Sequence, residues 1–329
     1  MYLSDSYHRK IDYLRLSLLD ACNFRCNYCL PEVFTPFLTQ KEWLSVDEIK
    51  NLVEVLSEVG INKIRLTGGE PTLRKDFLEI TKTISEIKKI TQLHLTTNAS
   101  WKSIDFGNSI HQYFDGVNIS FDSLNEKKFE KITQSNDFST VWNNVQHLYE
   151  LGTKVKLNVV VMKGINENEL LDFVELTKNY SFEVRFLETM PFDGKNNDSS
   201  AYFVSAKSIF NQIAKMYGEA IVPIENPQSS TSKSYKINNY KGNFGIIPAF
   251  SRTFCSDCNR VRITAKGEWV NCLYQNKGFN VKELMRNNIS KEELKIKIME
   301  WVGSKPKDGF EAEKNNSQIN YESMSMIGG

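Results

Sequence analysis

The stretch "LRLSLLDACNFRCNYCLPE", Leu14 to Glu32, runs from a strand-like segment into a loop with three cysteines, Cys22, Cys26 and Cys29, spaced C-x3-C-x2-C. The same order of strand, polar loop and helix then recurs as far as Met190. The strand signals are "LRLSLL" (14–19), "KIRLTG" (63–68), "LHLTTN" (93–98), "GVNISFDS" (116–123), "KVKLNVVVMKG" (154–164) and "FEVRFLETM" (182–190). Helical patterns stand between them. The first, "SVDEIKNLVEVLSEVG", opens with a capping box, Ser45 with Glu48, and carries Ile49, Leu52, Val53, Leu56 and Val59 on one face. Six such units predict an α/β fold with a parallel sheet curled into part of a barrel.

After Met190 the pattern changes. "DGKNNDSS" and "ENPQSSTSKS" read as polar loops, "FGIIPAF" and "RVRITAKGEWVNCLY" as strand-rich, and "KEELKIKIMEWVG" as a weaker helix. This divides the chain into residues 1–190, the partial barrel, and 191–329, a C-terminal domain. The last stretch, "INYESMSMIGG", ends in Gly328 and Gly329, and a chain end frays by default.

The chain has 329 residues, a formal charge of +1 and 25% charged residues. That balance gives no support for general nucleic-acid binding, so any anion site must come from local clusters of Arg and Lys. The N-terminus has no signal-peptide core and no run of about 18 apolar residues occurs, so a cytoplasmic location without a membrane segment is expected. Under those conditions clustered cysteines favour metal or redox chemistry over disulfides. All six cysteines fall into two triplets, the second being Cys255, Cys258 and Cys272, spaced C-x2-C-x13-C.

In a β/α barrel the chemistry collects where strands end and loops begin. The first triplet follows strand one. "TGGEP" (67–71) follows strand two, "TTN" (96–98) ends strand three and "SFDS" (120–123) ends strand four. Met162 with Lys163, and Glu188 to Met190, close the last two strands. Three thiolates hold three irons of a [4Fe–4S] cluster and leave the fourth open, and zinc with one further ligand competes for the same set. For the second triplet, none of His8, His94, His111 and His147 lies near enough in sequence to close a zinc site, which favours a cluster there.

The C-x3-C-x2-C loop with Tyr28 before its last cysteine, followed one strand later by "GGEP", resembles the radical S-adenosylmethionine (SAM) superfamily. Together with "VKLNVVVMKGINENE", "RFLETMP", "FCSDCNRVRIT" and the terminal "GG", these motifs make the chain similar to the GTP 3′,8-cyclase family, the A proteins of molybdenum cofactor biosynthesis, from about residue 8 to the end. The resemblance implies an incomplete (β/α)6 TIM-like barrel whose open side a C-terminal extension covers. It implies two [4Fe–4S] clusters, one on each triplet, and SAM bound near Tyr28, Gly69, Ser120 and Met190, with Gly68 and Gly69 offering backbone hydrogen bonds to its amino group.

GTP would be the substrate, its phosphates met by Arg15, Arg65, Lys156, Arg260 and Arg262, with Thr96 as a further contact. A lone Arg is by default a solvated surface charge, and inward positions on barrel strands argue otherwise here. The implied reaction takes hydrogen from C3′ of GTP with a 5′-deoxyadenosyl radical and joins C3′ to C8, and one further reduction gives (8S)-3′,8-cyclo-7,8-dihydroguanosine 5′-triphosphate. No side chain acts as a general base, and the tail, Gly328 and Gly329, projects into the site. The resemblance also implies an electron donor, cyclic pyranopterin monophosphate synthase acting on the product, and compatibility with a homodimer. Two other readings remain: a peptide-maturing radical SAM enzyme with an auxiliary cluster, and a non-enzymatic zinc-binding module.

Overall fold

The computed structural model describes residues 2–29, 37–190, 199–275, 278–315 and 323–328. Six strands, β1 (Tyr13–Ser17), β2 (Lys63–Thr67), β3 (Gln92–Thr97), β4 (Gly116–Ser120), β5 (Val155–Val161) and β6 (Glu183–Glu188), pair in chain order and all parallel. Five more come from the C-terminal part: β7 (Ile221–Pro223), β8 (Lys233–Ile237), β9 (Asn243–Ile247), β10 (Arg260–Ile263) and β11 (Trp269–Val270). They extend the sheet at both flanks. β9 lies parallel beside β6, with β8 and β7 antiparallel beyond it. β10 lies parallel beside β1, with β11 antiparallel outside.

Strand alternation sorts the side chains of this sheet into two faces. Leu14, Leu16, Ile64, Leu66, Val117, Ile119, Leu157, Phe186, Val261 and Ile263 are buried on the outer face, where the helices pack. Tyr13, Arg15, Lys63, Arg65, Asn118, Lys156, Arg185, Arg260 and Arg262 stand on the other. Because Arg15, Asn118, Arg185 and Arg260 line one cavity from strands far apart in the sheet, the sheet curls around that cavity as an open partial barrel. The core is therefore a shell between sheet and helices, and the interior is polar.

The outer helices are α1 (Val46–Glu58), α2 (Phe77–Ser85), α3 (Ile104–Tyr113), α4 (Glu126–Thr133), α5 (Phe138–Glu150) and α6 (Leu170–Asn179). α1 starts as its sequence dictates: the Ser45 side chain accepts the Glu48 N–H while the Glu48 carboxylate accepts the Ser45 N–H. Between β4 and α4–α5 lies an aromatic cluster of Phe121, Phe129, Phe138 and Trp142. Phe129 is fully buried and also meets Phe24 of the first cysteine loop edge-on, at 5.9 Å between centroids. Phe129→Ala is expected to cost about 3–5 kcal/mol of stability in urea unfolding, through the cavity it leaves. A loss under about 1 kcal/mol would mean the cluster collapses onto the gap.

Beyond β6 the chain is more regular than its sequence reads. α7 (Ala206–Tyr217) was not expected, because it buries only Ile209 and Ile213 and so shows a thin apolar stripe. "ENPQSSTSKS" ends inside β8, a strand that alternates weakly. α8 (Val281–Arg286), α9 (Lys291–Gly303) and α10 (Gly309–Lys314) follow, α9 with a full capping box at Ser290 and Glu293. The tail forms a short helix, α11 (Met324–Ile327). Among the described residues no helix is long and apolar enough to cross a membrane.

Candidate active site

The first cysteine loop is fixed by its own sequence. Between Cys22 and Cys26, Phe24 is buried against Phe129, while the Arg25 and Asn27 N–H groups donate to the carbonyls of Thr133 and Ile132 at the end of α4. Tyr28 donates its O–H to Asp122 Oδ2 at 2.6 Å, and Asp122 Oδ1 accepts the Val160 N–H. One carboxylate thus ties the loop to the ends of β4 and β5. The glycines of "TGGEP" serve a close approach: a Cβ on Gly69 would stand 2.2 Å from the Ala21 carbonyl oxygen, and one on Gly68 2.5 Å from that of Leu19. The Gly69 N–H is donated to the Leu19 carbonyl at 2.8 Å, and the Gly69 carbonyl is the group of a kind to meet an ammonium, which only donates. Glu70 is buried, accepting from Thr72, Thr97 and the Asn98 N–H.

The second triplet sits toward the opposite end of the barrel from the first: Cys258 lies two residues before β10 opens at Arg260, the partner of Tyr13, and Cys272 two residues after β11 ends. Cys255, Cys258 and Cys272 line a cavity of about 180 Å³ with Thr96, Met190, Arg260, Arg262 and Met324. A second cavity, of about 370 Å³, is lined by Tyr13, Lys63, Arg65, Lys156, Glu183 and others, and shares Arg15, Asn118, Arg185 and Arg260 with the first. Ser120 ends β4 in register with Asn158 of β5.

Strand register stacks the interior into tiers. Arg260, Tyr13 and Lys63 are neighbours across β10, β1 and β2, and so, one step higher, are Arg262, Arg15 and Arg65. Ser17 and Thr67 form the next step. Three arginines abreast in a buried interior repel one another unless an anion lies among them. The strain shows in Arg262, whose pKa is lowered to about 9 by burial first and then by Arg15 and Arg260. Arg15 Nε, Asn158 Oδ1, Asn243 Oδ1 and Asn259 Oδ1 are buried polar atoms without a partner among the described residues, all on residues lining these cavities. Each such group costs about 1–3 kcal/mol unless a ligand or water meets it. Every cation expected from sequence lines one cavity or both. Lys63 and Arg185 belong with them, though sequence reading passed them over. Lys63 lies two residues before Arg65 and hence on its face, which was the available signal. Arg185 and Lys156 are both paired to Glu183, at 2.6 and 2.5 Å.

The two triplets differ electrostatically. Burial, then Glu70, pushes the Cys22 thiol up to about 12, and burial, then Asp122, raises Cys26. Burial takes Cys29 to about 11 despite the Ser325 N–H and Ser323 hydroxyl that reach it. Burial alone would raise Cys258 too, but Lys305 and Arg260 bring it down to about 6. Lys305 is buried beside this triplet and donates to the carbonyls of Arg260 and Asn271. The donor sets fit iron–sulfur clusters: three sulfurs each, on loops at strand ends, the second set lining a cavity. Among the described residues no three Cys, His, Asp or Glu side chains converge on one metal ion, as a mononuclear zinc site requires.

The tail enters between the triplets. Ser323 Oγ donates to the Cys29 carbonyl, and the Gly328 carbonyl accepts from Arg262 Nη1 at 2.5 Å. Gly328 has φ +79°, and a Cβ there would stand 2.8 Å from Thr67 Oγ1 and 2.9 Å from Ser17 Cβ. Gly329 lies outside the described residues.

Residues 16–177 match the radical SAM superfamily, and residues 182–311 match the family described as Molybdenum Cofactor Synthesis C. The chain is 37% identical over 321 residues to the GTP 3′,8-cyclase of Desulforamulus reducens, covering 96% of this chain and 99% of that one. It is 35% identical to that of Chlorobaculum tepidum, covering 100% and 98%. Molybdenum cofactor biosynthesis protein moc-5 of Caenorhabditis elegans is 39% identical over 92% of this chain, which spans only 50% of that longer relative. Among solved structures, SuiB of Streptococcus suis bound to its precursor peptide shares the fold at 11% identity, with a TM-score of 0.62 over 88% of this chain and 68% of that one. A cysteine loop after β1, a glycine pair after β2 and a second triplet in the C-terminal part are thus accompanied by near full-length likeness, and the chain belongs to the GTP 3′,8-cyclase family of the radical SAM superfamily.

Proposed function

We propose that this chain is a GTP 3′,8-cyclase, a lyase acting in molybdenum cofactor biosynthesis. The observation that carries the reading is the set of in-register cation tiers inside a barrel with one cysteine triplet beyond the end of β1 and the other beside the start of β10. The tiers suit a triphosphate, and the second triplet stands where the rest of the nucleotide would lie. A [4Fe–4S] cluster on Cys22, Cys26 and Cys29, when bound, supplies the electron that splits SAM into methionine and the hydrogen-abstracting 5′-deoxyadenosyl radical.

The chain's own residues do the rest by placement and exclusion of water. Tyr28, the Gly69 carbonyl, Ser120 and Met190 border the SAM position. Arg15, Arg65, Lys156, Arg260 and Arg262, joined by Lys63 and Arg185, hold the phosphates, and Thr96 lies between the two regions. Cys255, Cys258 and Cys272 would hold a second cluster, which would supply a Lewis-acidic site for the guanine. Gly328 covers the step at Ser17 and Thr67, above the arginine tier, and Gly329 follows it in the tail sequence. No side chain need act as a general base, because the substrate is activated by transfer of a hydrogen atom. Residues 191–329 act as the substrate-side domain. The cyclised nucleotide passes to cyclic pyranopterin monophosphate synthase in the cytoplasm, an external donor supplies electrons, and a homodimer is compatible with the fold.

The deciding experiment incubates anaerobically reconstituted protein with SAM, reductant and GTP. It should carry about eight irons per chain and release 5′-deoxyadenosine together with the 3′,8-cyclised nucleotide. SAM cleavage without a cyclised nucleotide would sink the GTP reading, and two zincs per chain would sink the enzyme reading. Arg262→Ala removes a charge-assisted hydrogen bond and is expected to weaken GTP binding by about 1.5–3 kcal/mol. Guanosine should be indifferent to the change, and an equal loss for both ligands would place Arg262 away from the phosphates.

A further inference from the structure

Tyr13 is the non-cationic member of the lowest tier. Its neighbours in register are Arg260 on β10 and Lys63 on β2, and Arg15 shares its face two residues on. The phenol is buried, its oxygen accepts Arg65 Nε at 2.6 Å, and Lys63 Nζ stands 4.9 Å from the ring centroid. The charged groups facing it are thus Arg15 from β1, Lys63 and Arg65 from β2, and Arg260 from β10. Of the acids on the same cavity wall, Glu183 is taken by Lys156 and Arg185, while Glu225 lies on the segment after β7.

A phenol has one proton to give and lone pairs to receive. The lone pairs here meet donors, whereas no described residue accepts the proton. Asp12, next in sequence, is engaged with Asn259 and Lys10.

We propose that Tyr13 is a substrate-positioning residue whose phenolic O–H is donated to a phosphate oxygen of the nucleotide, which couples polyphosphate binding to the uptake of a proton. This rests on reading the cavity as a polyphosphate site. Burial alone would raise the phenol's pKa, but Arg65, Arg15 and Lys63 bring it down to about 7. Without ligand, the cations therefore favour the phenolate above that pH. A bound polyanion occupies the same cations and sets negative charge against the phenolate, so the proton returns.

The test uses the cluster-loaded protein and inorganic tripolyphosphate, followed by calorimetry in two buffers of different ionisation enthalpy. At about pH 8 the wild type is expected to take up close to one proton more per bound anion than Tyr13→Phe. The ratio of wild-type to Tyr13→Phe affinity is expected at about tenfold near pH 6.5, falling to about unity near pH 8 and below it by pH 9. The wild-type proton uptake is readable even should the variant fold poorly. Tripolyphosphate binding with equal proton uptake and a pH-independent ratio overturns the role of Tyr13 alone. Absence of tripolyphosphate binding by the wild type, with guanosine still bound, overturns the cavity reading and Tyr13 with it.

Discussion

Cys26→Ser is expected to abolish 5′-deoxyadenosine formation and to lower the iron content from about eight to about four atoms per chain. Cys26 is surrounded by acid and sulfur: burial raises its thiol, and Asp122, Cys29 and Cys22 add to the effect. Among the described residues no cation stands there to draw the proton off a serine hydroxyl, so the replacement offers a neutral, poor ligand where a thiolate is needed. Cys255, Cys258 and Cys272 lie at the other end of the barrel, beside the start of β10, and draw on separate cations, Lys305 and Arg260, so their iron should remain. The fold should remain as well, because the loop is pegged by Phe24 and held by the backbone of α4 independently of its sulfurs. The measurements are iron per chain, SAM cleavage with strong reductant, and GTP binding on one preparation. SAM cleavage at the wild-type rate would refute the assignment of this triplet.

The tail carries the second large effect. Deleting Gly328 and Gly329 is expected to cut cyclised product by about a hundredfold or more while leaving iron content unchanged. The deletion removes the carbonyl that Arg262 holds and opens the space above Ser17 and Thr67. Arg262 is then freer to meet phosphate, so GTP affinity should stay level or rise. SAM cleavage should persist, uncoupled from product. Gly328→Ala tests the same point with one carbon: φ +79° is costly for alanine, and its Cβ has no room beside Thr67. Wild-type yields of cyclised nucleotide from either variant would return the tail to an ordinary chain end.

Much of this was legible because alternation and capping are local. The six parallel strands, the α1 capping box and both triplets could be read in windows of a few residues. Strand ends were overextended for a physical reason: the β1–β2 ladder continues into the loops, through Gly69 N–H to Leu19 O and Glu70 N–H to Ala21 O, without regular strand geometry. What was not legible is register. That Arg262, Arg15 and Arg65 stand abreast, and that Tyr13 lies between Arg260 and Lys63, follows from which strands pair. β10 pairs with β1 from the far end of the chain. Arg185 was passed over for the same reason, and β8 and α7 because their apolar faces are thin.

The sheet's flanks bear on how the chain folds. As it emerges from the ribosome, residues 13–188 can assemble six strands while β1 and β6 still present unpaired backbone. β1 waits for Arg260–Ile263 and β6 for Asn243–Ile247, so closure is a late, long-range event. Until then the half-built sheet has two sticky edges, and the lowest cation tier lacks Arg260. A chain stopped near Met190 should accordingly self-associate in solution, and a nonsense lesion there would yield an aggregation-prone product.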